Sequence, residues 1–442
     1  MAYPLSRPEI SPEDITAVNE VLKGPVLALG PRCEAFENAF AEYIGTTYAV
    51  AVNSGTSALH LAVRALDIGE GDEVITTPFS FVASANCMLF ERAVPKFVDI
   101  DPETLNIDPS RISAAVTEKT KALLVVHVFG QPCDMKRIEE AAAEYDLAII
   151  EDACEAIGAT CGGVKVGTFG EAAAFGFYPN KQMTTGEGGM LVTDDGQIAE
   201  LAASMRNQGR TRRSSWLEHE RLGYNYRLDE MSAALGLSQL SRIDSILARR
   251  AQVAAWYRDA LGEVPGIEPL AEIEGTTRSW FVYVALLEKG HTRSDVMELL
   301  ENWGVACRAY FPPIHLQPLY RDLFGYKIGD FPVTEDIAGR TLALPLQFAR
   351  EKRRRVHSRA TRALHQVRRR RRGDNPTGRR ICPEQFMRMI SAARRTSTGG
   401  ARIWWAARRR SRPRPAFRWA SPNTSLKSSA RSRCTRTRRP PT

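Results

Sequence analysis

Short apolar runs alternate with helix-like stretches between residues 48 and 152, and this alternation constrains the fold more than any other feature. The runs are Tyr48–Val52, Glu73–Thr76, Pro95–Val98, Ala122–Val128 and Leu147–Ile150. Between them, segments such as Ser57–Leu66 and Met135–Tyr145 carry apolar residues at helical spacing. Continuous rather than alternating apolar residues indicate strands that are buried on both faces. The sequence therefore predicts an α/β fold in which helices flank a mostly parallel sheet.

The pattern divides the 442 residues into three segments. Residues 1–240 form the predicted large domain, which contains the sheet. A long amphipathic helix, predicted over Asp229–Leu261, leads into a smaller α+β domain at residues 241–349. That domain is predicted to contain a strand at Trp280–Leu287 and a helix at Arg293–Trp303.

The third segment, residues 350–442, differs from the rest in composition. It carries a net charge of +27, with 28 Arg against 2 Lys, whereas the first 349 residues carry −18. Arginine runs near Trp404 and Trp405 could bind phosphates and stack on bases, so a nucleic-acid-binding or regulatory protein is an alternative interpretation. The same composition results when a GC-rich gene is translated in a shifted frame. We favour this second interpretation, which predicts a disordered or frame-shifted tail and no nucleic-acid partner.

Cysteine usage and hydropathy bear on the compartment. The 8 cysteines include no C-x-x-C pair, which indicates free thiols rather than a disulfide framework or a metal site. No apolar run reaches the ~18–20 residues that a membrane helix needs. The segment Met1–Arg7 lacks the basic start and apolar stretch of a secretion signal. These features predict a cytoplasmic protein without a membrane partner.

The strongest chemical signal is a lysine followed by a glycine-rich turn, within Phe175–Gly189. A strand is expected to end near Phe177, which would place Lys181 in a turn at the edge of the sheet. Gly186 and Gly188 allow the backbone tight or close-approach geometry. A partly desolvated amine favours the neutral nucleophile, which can form a Schiff base. Because most lysines in turns are solvated surface residues, this interpretation depends on partners elsewhere in the chain.

Three other segments supply such partners. Asp152 follows the predicted strand Leu147–Ile150 at the edge where open α/β sheets bind ligands. Pyridoxal 5′-phosphate (PLP) needs an anion beside its pyridine nitrogen, although a helix N-cap is the simpler interpretation of Asp152. Asn53–Ser57, at a predicted helix start, is either a phosphate cradle or an ordinary capped helix. The segment Thr77–Val82 supplies aromatic rings, one of which could stack on a flat cofactor, although an aromatic residue there is more often part of the core.

Six motifs in this order resemble the sugar aminotransferases of PLP fold type I, the DegT–StrS family. The motifs are Asn53–Ala58, Thr77–Ala83, Glu151–Ala156, Tyr178–Gly189, Gly223–Leu228 and Tyr310–Pro318. The likeness runs from about Pro8 to Leu346. It implies the large and small domains described above, with PLP as the cofactor. Lysine at position 181 favours transamination, because the related PLP-dependent sugar dehydratases carry histidine there.

The resemblance also implies a role for each candidate site residue. Lys181 is the implied catalytic residue, which holds the cofactor as a Schiff base and moves a proton between substrate and cofactor carbons. The other implied cofactor contacts are Gly55, Thr56 and Ser57 at the phosphate, Phe81 on the ring face, Asp152 at the pyridine nitrogen, Glu155 near the ring hydroxyl, and Asn225 from the neighbouring subunit. The implied substrate-side residues are Glu187, Tyr310 and His315, and no metal is expected. A homodimer with shared active sites is therefore the implied active unit.

Gly176 departs from the family pattern. Many members carry serine five residues before the lysine, where the hydroxyl hydrogen-bonds the cofactor phosphate. The loss of one neutral hydrogen bond costs roughly 0.5–1.5 kcal/mol. We therefore expect weaker PLP retention rather than loss of function.

The implied reaction takes an amino group from glutamate and delivers it to a keto group of a nucleotide-linked deoxysugar. Both half-reactions share one site, which gives ping-pong kinetics. A PLP enzyme of amino-acid metabolism is a further alternative. The sequence leaves open which nucleotide sugar is used, which carbon is aminated and which pathway is served.

Overall fold

The computed structural model describes residues 4–346, except 212–214, 216–217, 263 and 303. The strands in this part of the chain are β1 Tyr48–Val52, β2 Glu73–Thr76, β3 Val94–Phe97, β4 Thr120–Val126, β5 Ala148–Asp152, β6 Thr160–Cys161, β7 Val164–Lys165, β8 Ala172–Gly176, β9 Gly189–Thr193, β10 Ile267–Pro269, β11 Thr276–Thr277, β12 Tyr283–Leu287 and β13 Thr341–Leu344. The helices are α1 Pro12–Leu22, α2 Pro31–Ile44, α3 Gly55–Ala65, α4 Ala83–Leu89, α5 Ile112–Ala115, α6 Met135–Tyr145, α7 Gly196–Arg206, α8 Glu230–Leu240, α9 Ile243–Leu261, α10 Arg293–Asn302, α11 Pro318–Phe324 and α12 Pro332–Arg340. The predictions for the tail at 350–442 lie outside the described residues.

Seven strands form the large sheet, in the order β1-β9-β8-β5-β4-β2-β3. The run from β3 to β8 is parallel, whereas β9 is antiparallel to both of its neighbours, β8 and β1. Ala122, Leu124 and Val126 of β4 pack in the core that contains α3, while Leu123 and Val125 pack in the core that contains α6. Both faces of the strand are therefore covered by helices, as the continuous apolar runs predict. The predicted α/β fold with a mostly parallel sheet is confirmed.

A second, antiparallel sheet in the order β10-β12-β13 lies in the C-terminal part of the described chain. It shares a core with α9 and α10, in which Tyr257, Tyr283 and Leu300 are fully buried. The predicted boundary between residues 240 and 241 falls in the short link between α8 and α9. The division into domains at this boundary stays a prediction.

The single helix predicted over Asp229–Leu261 is wrong, because the chain forms two helices there. Arg242 leaves helical geometry, with φ −125° and ψ 16°, between α8 and α9. The first of these helices packs against α1 and α2, whereas the second belongs to the core of the small sheet. A continuous helical pattern in the sequence is therefore interrupted at Arg242 in the folded chain.

Within the described ranges, no helix is both long and apolar enough to span a lipid bilayer.

Candidate active site

Lys181 lies in the connection between β8 and β9, at the carboxyl edge of the large sheet. Its backbone N–H donates to the Tyr178 carbonyl at 2.8 Å, which closes a turn around it. Its side chain is 15% exposed, with Nζ 3.4 Å from Glu155 Oε1 and 4.1 Å from the centre of the Phe281 ring. The amine is therefore largely removed from water and has one carboxylate neighbour.

Glu155 follows β5 and is buried beside this lysine. The backbone N–H of Phe129 donates to its Oε2 at 3.0 Å. Burial raises the pKa of Glu155, and the nearby Lys181 charge opposes that effect only in part. The carboxyl group therefore holds a proton more readily than an exposed glutamate does.

Asp152, at the end of β5, is a buried carboxylate held by neutral donors. Ser84 donates its hydroxyl to Oδ2 at 2.6 Å, and the backbone N–H of Cys154 donates to Oδ1 at 3.1 Å. Among the residues that the structure describes, no Lys, Arg or His lies within ion-pair distance of Asp152. Because a buried charge is normally paired, this carboxylate is suited to a cation brought by a ligand.

The first turn of α3 forms the third part of the site. Ser54 caps the helix, since its hydroxyl accepts from the Ser57 backbone N–H at 3.1 Å, and the Ser57 hydroxyl donates to Asn53 Oδ1 at 2.7 Å. The backbone N–H groups of Gly55 and Thr56 lie in the first helical turn, where N–H groups have no carbonyl partner within the helix. A helix start of this kind binds anions through its free N–H groups and its dipole.

Glycines bring the surrounding chain close to this turn. A Cβ at Gly55 would lie 2.7 Å from Cys154 Sγ, and a Cβ at Gly189 would lie 2.4 Å from the carbonyl group of Ser54. At Gly176, by contrast, a Cβ would meet Cys154 atoms at 3.4 Å, which is ordinary contact. The close packing of the turn therefore needs glycine at two positions, and Gly176 is not one of them.

Phe81 and Asn225 lie at the margin of the site. Phe81 is 61% exposed, and its carbonyl accepts from the backbone N–H of Ser84, the serine whose hydroxyl bonds Asp152. The Asn225 side chain is exposed, and its carbonyl accepts from Asn53 Nδ2 of the same chain at 3.3 Å. Phe81 therefore lies close to Asp152, whereas the contact of Asn225 is within its own chain and leaves its assignment to the neighbouring subunit a prediction.

The three predicted substrate-side residues differ in their surroundings. Tyr310 is half-buried, and its ring centre lies 6.3 Å from that of Phe281, the ring that contacts Lys181. Burial, followed by the Glu155 charge, raises the pKa of Tyr310. Glu187 is exposed in the same β8–β9 connection. His315 is fully buried, with Nε2 3.0 Å from Glu335 Oε1 and its ring against Phe331.

The contacts of His315 described by the structure are thus with Glu335 and aromatic rings, not with Lys181. These rings belong to a separate core beside β3, which contains Phe97 and Tyr320. The assignment of His315 to the substrate side stays a prediction without a contact that supports it.

Sequence reasoning missed three residues that shape the site, namely Ser84, Phe281 and Arg250. Ser84 directly follows a recognised motif, so its proximity in sequence could have indicated it. Phe281 and Arg250 reach Lys181 from segments far along the chain, and no local pattern marks them. Such contacts become visible only in the folded structure.

Comparisons with known proteins agree with this geometry. Residues 8–359 match the profile of the DegT/DnrJ/EryC1/StrS aminotransferase family. The spore coat polysaccharide biosynthesis protein SpsC of Bacillus subtilis (strain 168) is 41% identical over 357 residues, which cover 78% of this chain and 92% of SpsC. The GDP-perosamine synthase of Caulobacter vibrioides is 42% identical over 292 residues, which cover 65% of this chain and 78% of that protein.

A crystal structure points to the same family. DesV of S. venezuelae, solved in complex with a ketimine intermediate, matches with a TM-score of 0.75 at 36% identity, covering 80% of this chain and 94% of DesV. The matched region contains all the described elements that build the site. The chain therefore belongs to the DegT/DnrJ/EryC1/StrS aminotransferase family, a family of PLP-dependent sugar aminotransferases.

Proposed function

We propose that this enzyme transfers an amino group from glutamate to the keto group of a nucleotide-linked deoxysugar. The observation that carries the proposal is the buried Asp152 carboxylate, which has no cation partner among the described residues and lies at the same sheet edge as Lys181. A nucleotide-linked substrate is supported by the name of the GDP-perosamine synthase, which is 42% identical to the matched region.

The residues present fit PLP. The first turn of α3, with Gly55, Thr56 and Ser57, would hold the phosphate, and Asp152 would pair with the protonated ring nitrogen. Lys181 would bind the aldehyde through its amine, with Phe81 against the ring face. When bound, PLP supplies an electron sink that stabilises the negative charge left when a carbon loses its proton.

The protein's own groups then act on protons. The amine of Lys181 would take the proton from the substrate carbon that bears the amino group and carry it to the cofactor carbon, and in the opposite half-reaction it would carry the proton back to the substrate carbon. Glu155, whose pKa is raised by burial, lies 3.4 Å from that amine and can hold a proton beside it. The low exposure of both groups keeps water from competing for these protons.

The substrate side of the proposal involves Tyr310 and Glu187. Tyr310 is supported because the Glu155 charge contributes to its raised pKa, which indicates proximity to the reacting groups. Glu187 is supported by its exposure in the connection that carries Lys181. His315 is the least supported of the three, because it is buried against Glu335.

We also propose a cytoplasmic homodimer in which Asn225 reaches the cofactor phosphate of the neighbouring subunit. The exposed Asn225 side chain supports a contact beyond its own chain, as do Phe81, Tyr178 and Leu222, large exposed apolar residues on the connections near the site. The six cysteines in the described ranges are all free, which is consistent with a reducing compartment.

The first test is the absorbance spectrum of the purified full chain with PLP, before and after glutamate is added. We expect a visible band that glutamate abolishes with release of 2-oxoglutarate, and no such band in Lys181→Ala. A panel of GDP-, UDP- and dTDP-linked keto-deoxysugars then tests the acceptor, with the amino sugar detected by mass spectrometry. A folded wild type without the visible band in excess PLP would contradict the role of Lys181, and transfer only to α-keto acids would contradict the sugar acceptor.

A further inference from the structure

Arg250 of α9 is a buried arginine that points into the Lys181 turn. The residue is 4% exposed. Nη2 donates to the Lys181 carbonyl at 3.0 Å, and Nη1 donates to the carbonyls of Trp280 at 3.1 Å and Phe281 at 3.0 Å. One guanidinium group therefore ties the catalytic turn to the segment that precedes β12.

No carboxylate in the described part of the chain lies within ion-pair distance of Arg250. Burial lowers the pKa of this guanidinium to about 10. A buried cation without a counter-charge is costly, and an apolar side chain of similar length would fill the same space more cheaply. An apolar residue could fill this space but could not donate the three hydrogen bonds that Arg250 makes to backbone carbonyls.

The bonds to these carbonyls fix the backbone at Lys181 and at Phe281, whose side chains contact each other at the Lys181 amine. Lys181 extends from one held backbone position and Phe281 from another, and the Phe281 ring lies 4.1 Å from Lys181 Nζ. The Lys181 turn is part of an irregular connection, in which backbone bonds join Lys181 N–H to the Tyr178 carbonyl and Thr185 N–H to the Phe177 carbonyl. The side-chain contacts of Arg250 add to these bonds by tying the Lys181 carbonyl to a distant segment of the chain.

A second set of bonds ties Glu155 to the same segment. Gln182 donates through Nε2 to the Glu155 carbonyl at 2.6 Å and to Ser279 Oγ at 2.8 Å. Ser279 in turn donates its hydroxyl to the Ile157 carbonyl at 2.6 Å. Lys181, Glu155 and Phe281 are therefore held relative to one another by two neighbouring, buried polar connections.

We propose that Arg250 is a positioning residue that fixes the Lys181 amine for its reaction with the cofactor aldehyde. It acts through the backbone of Lys181 and through Phe281, and it touches neither cofactor nor substrate. Because Arg250 belongs to α9, the packing of α9 in the small-sheet core thereby affects how tightly Lys181 binds PLP. This inference rests on the proposed role of Lys181.

Arg278 provides a matched control within the same region. Its side chain is half-buried, and burial lowers the pKa of its guanidinium to about 10. It donates to Gln131 Oε1 and to the Ala271 carbonyl, and it lies over the Trp280 ring. Its described contacts do not include Lys181, so its loss should affect stability without changing the position of the amine.

The experiment uses the full chain freed of PLP, as wild type, Arg250→Met, Arg250→Lys, Arg278→Met and Lys181→Ala. Each is titrated with PLP and with 4′-deoxypyridoxine phosphate, which has the phosphate and ring but no aldehyde. We expect Arg250→Met to weaken PLP binding by about tenfold while 4′-deoxypyridoxine phosphate binds within about twofold of wild type. The PLP affinity of Arg250→Lys should lie between those of the wild type and Arg250→Met, because one ammonium nitrogen cannot occupy both Nη positions.

Each outcome decides one point. If Arg250→Met and Arg278→Met weaken both ligands equally, Arg250 has only a structural role and the inference is overturned. If Arg250→Met fails to fold, the same comparison is made with Arg250→Lys, and unchanged PLP binding by that variant also overturns it. If Lys181→Ala keeps the visible band of the wild type, the proposed role of Lys181 fails instead, which separates the two failures.

Discussion

Asp152 ends β5 and Glu155 follows it three residues later, yet the two carboxyl groups have different surroundings. Asp152 accepts hydrogen bonds from the Ser84 hydroxyl and from the Cys154 backbone N–H. Glu155 accepts one backbone hydrogen bond and lies beside Lys181, but burial dominates and raises its pKa. Two carboxyl groups in one site with different environments can take different roles, and the raised pKa of Glu155 suits it to carry a proton beside Lys181.

The raised pKa of Glu155 predicts how stability depends on pH. Because the folded state binds this proton more tightly than the unfolded state, stability falls as pH rises from the ordinary value of 4.5 through the higher folded value. Glu155→Gln cannot ionise and avoids this loss. We therefore expect the variant to be more stable than the wild type at pH 8, in the absence of PLP, by a margin that shrinks toward pH 5.

The measurement is urea unfolding of the two proteins across that pH range. Glu187→Gln, which removes an exposed carboxylate from the β8–β9 connection, is the matched control and should change the free energy of unfolding by less than about 0.5 kcal/mol. If the difference in free energy of unfolding between Glu155→Gln and the wild type grows as pH falls, this result would contradict the direction of the Glu155 pKa shift.

Gly176 can be tested by restoring the hydroxyl that it lacks. The position has room, because a Cβ there would meet Cys154 at 3.4 Å. A serine hydroxyl that reaches the cofactor phosphate adds one hydrogen bond, worth roughly 0.5–1.5 kcal/mol, or about twofold to tenfold in affinity. We expect Gly176→Ser to bind PLP more tightly by this factor in a fluorescence titration, and Gly176→Ala to bind as the wild type does. Equal affinity of the two variants would show that the hydroxyl does not reach the phosphate.

At the scale of secondary-structure elements, the site depends on how closely β9 approaches the start of α3. A Cβ at Gly189 would lie 2.4 Å from the Ser54 carbonyl group and 2.6 Å from the Gly55 nitrogen. These are backbone atoms, which cannot rotate away as a side chain does. Gly189→Ala should therefore displace the first turn of α3 and lower the free energy of unfolding by about 1–3 kcal/mol.

The same change should weaken PLP binding, because the displaced turn carries the N–H groups proposed for the phosphate. Gly69→Ala is the matched control, since no heavy atom lies within 4 Å of its Cβ. Thermal unfolding and PLP titration of both variants provide the measurement. Unchanged PLP affinity in a destabilised Gly189→Ala would exclude the α3 turn as the phosphate site.

The elements differ in how far the sequence determines them. The strands from β1 to β5 lie close to the predicted runs, because residues buried on both faces leave a continuous apolar pattern. The break at Arg242 between α8 and α9 left no such pattern, because the apolar residues on both sides of it continue at helical spacing. Local motifs brought Lys181 and Asp152 into one hypothesis, whereas Arg250 and Phe281 became visible only through contacts between distant segments.

At the scale of the whole molecule, charge separates the chain into two unlike parts. The first 349 residues carry −18 and contain every described part of the site, whereas residues 350–442 carry +27. A net negative charge does not favour binding to nucleic acid, so any such binding would depend on the tail. Every residue to which the proposed aminotransferase chemistry assigns a role lies among the first 349 residues.

The proposed sharing of sites between subunits gives a prediction about mixed dimers. If Asn225 serves the cofactor of the neighbouring subunit, a dimer of one Lys181→Ala chain and one Asn225→Ala chain has one site with both native residues and one with neither. Each variant alone should be inactive or weakly active, whereas the mixture, after dissociation and reassociation, should recover activity. Asn225 bonds Asn53 of its own chain through its backbone, so a purely intrachain role is the competing possibility. In that case every site of the mixed dimer contains one defect, and no activity returns. Glutamate-dependent release of 2-oxoglutarate by the two variants, separately and mixed, therefore distinguishes a shared site from an independent one.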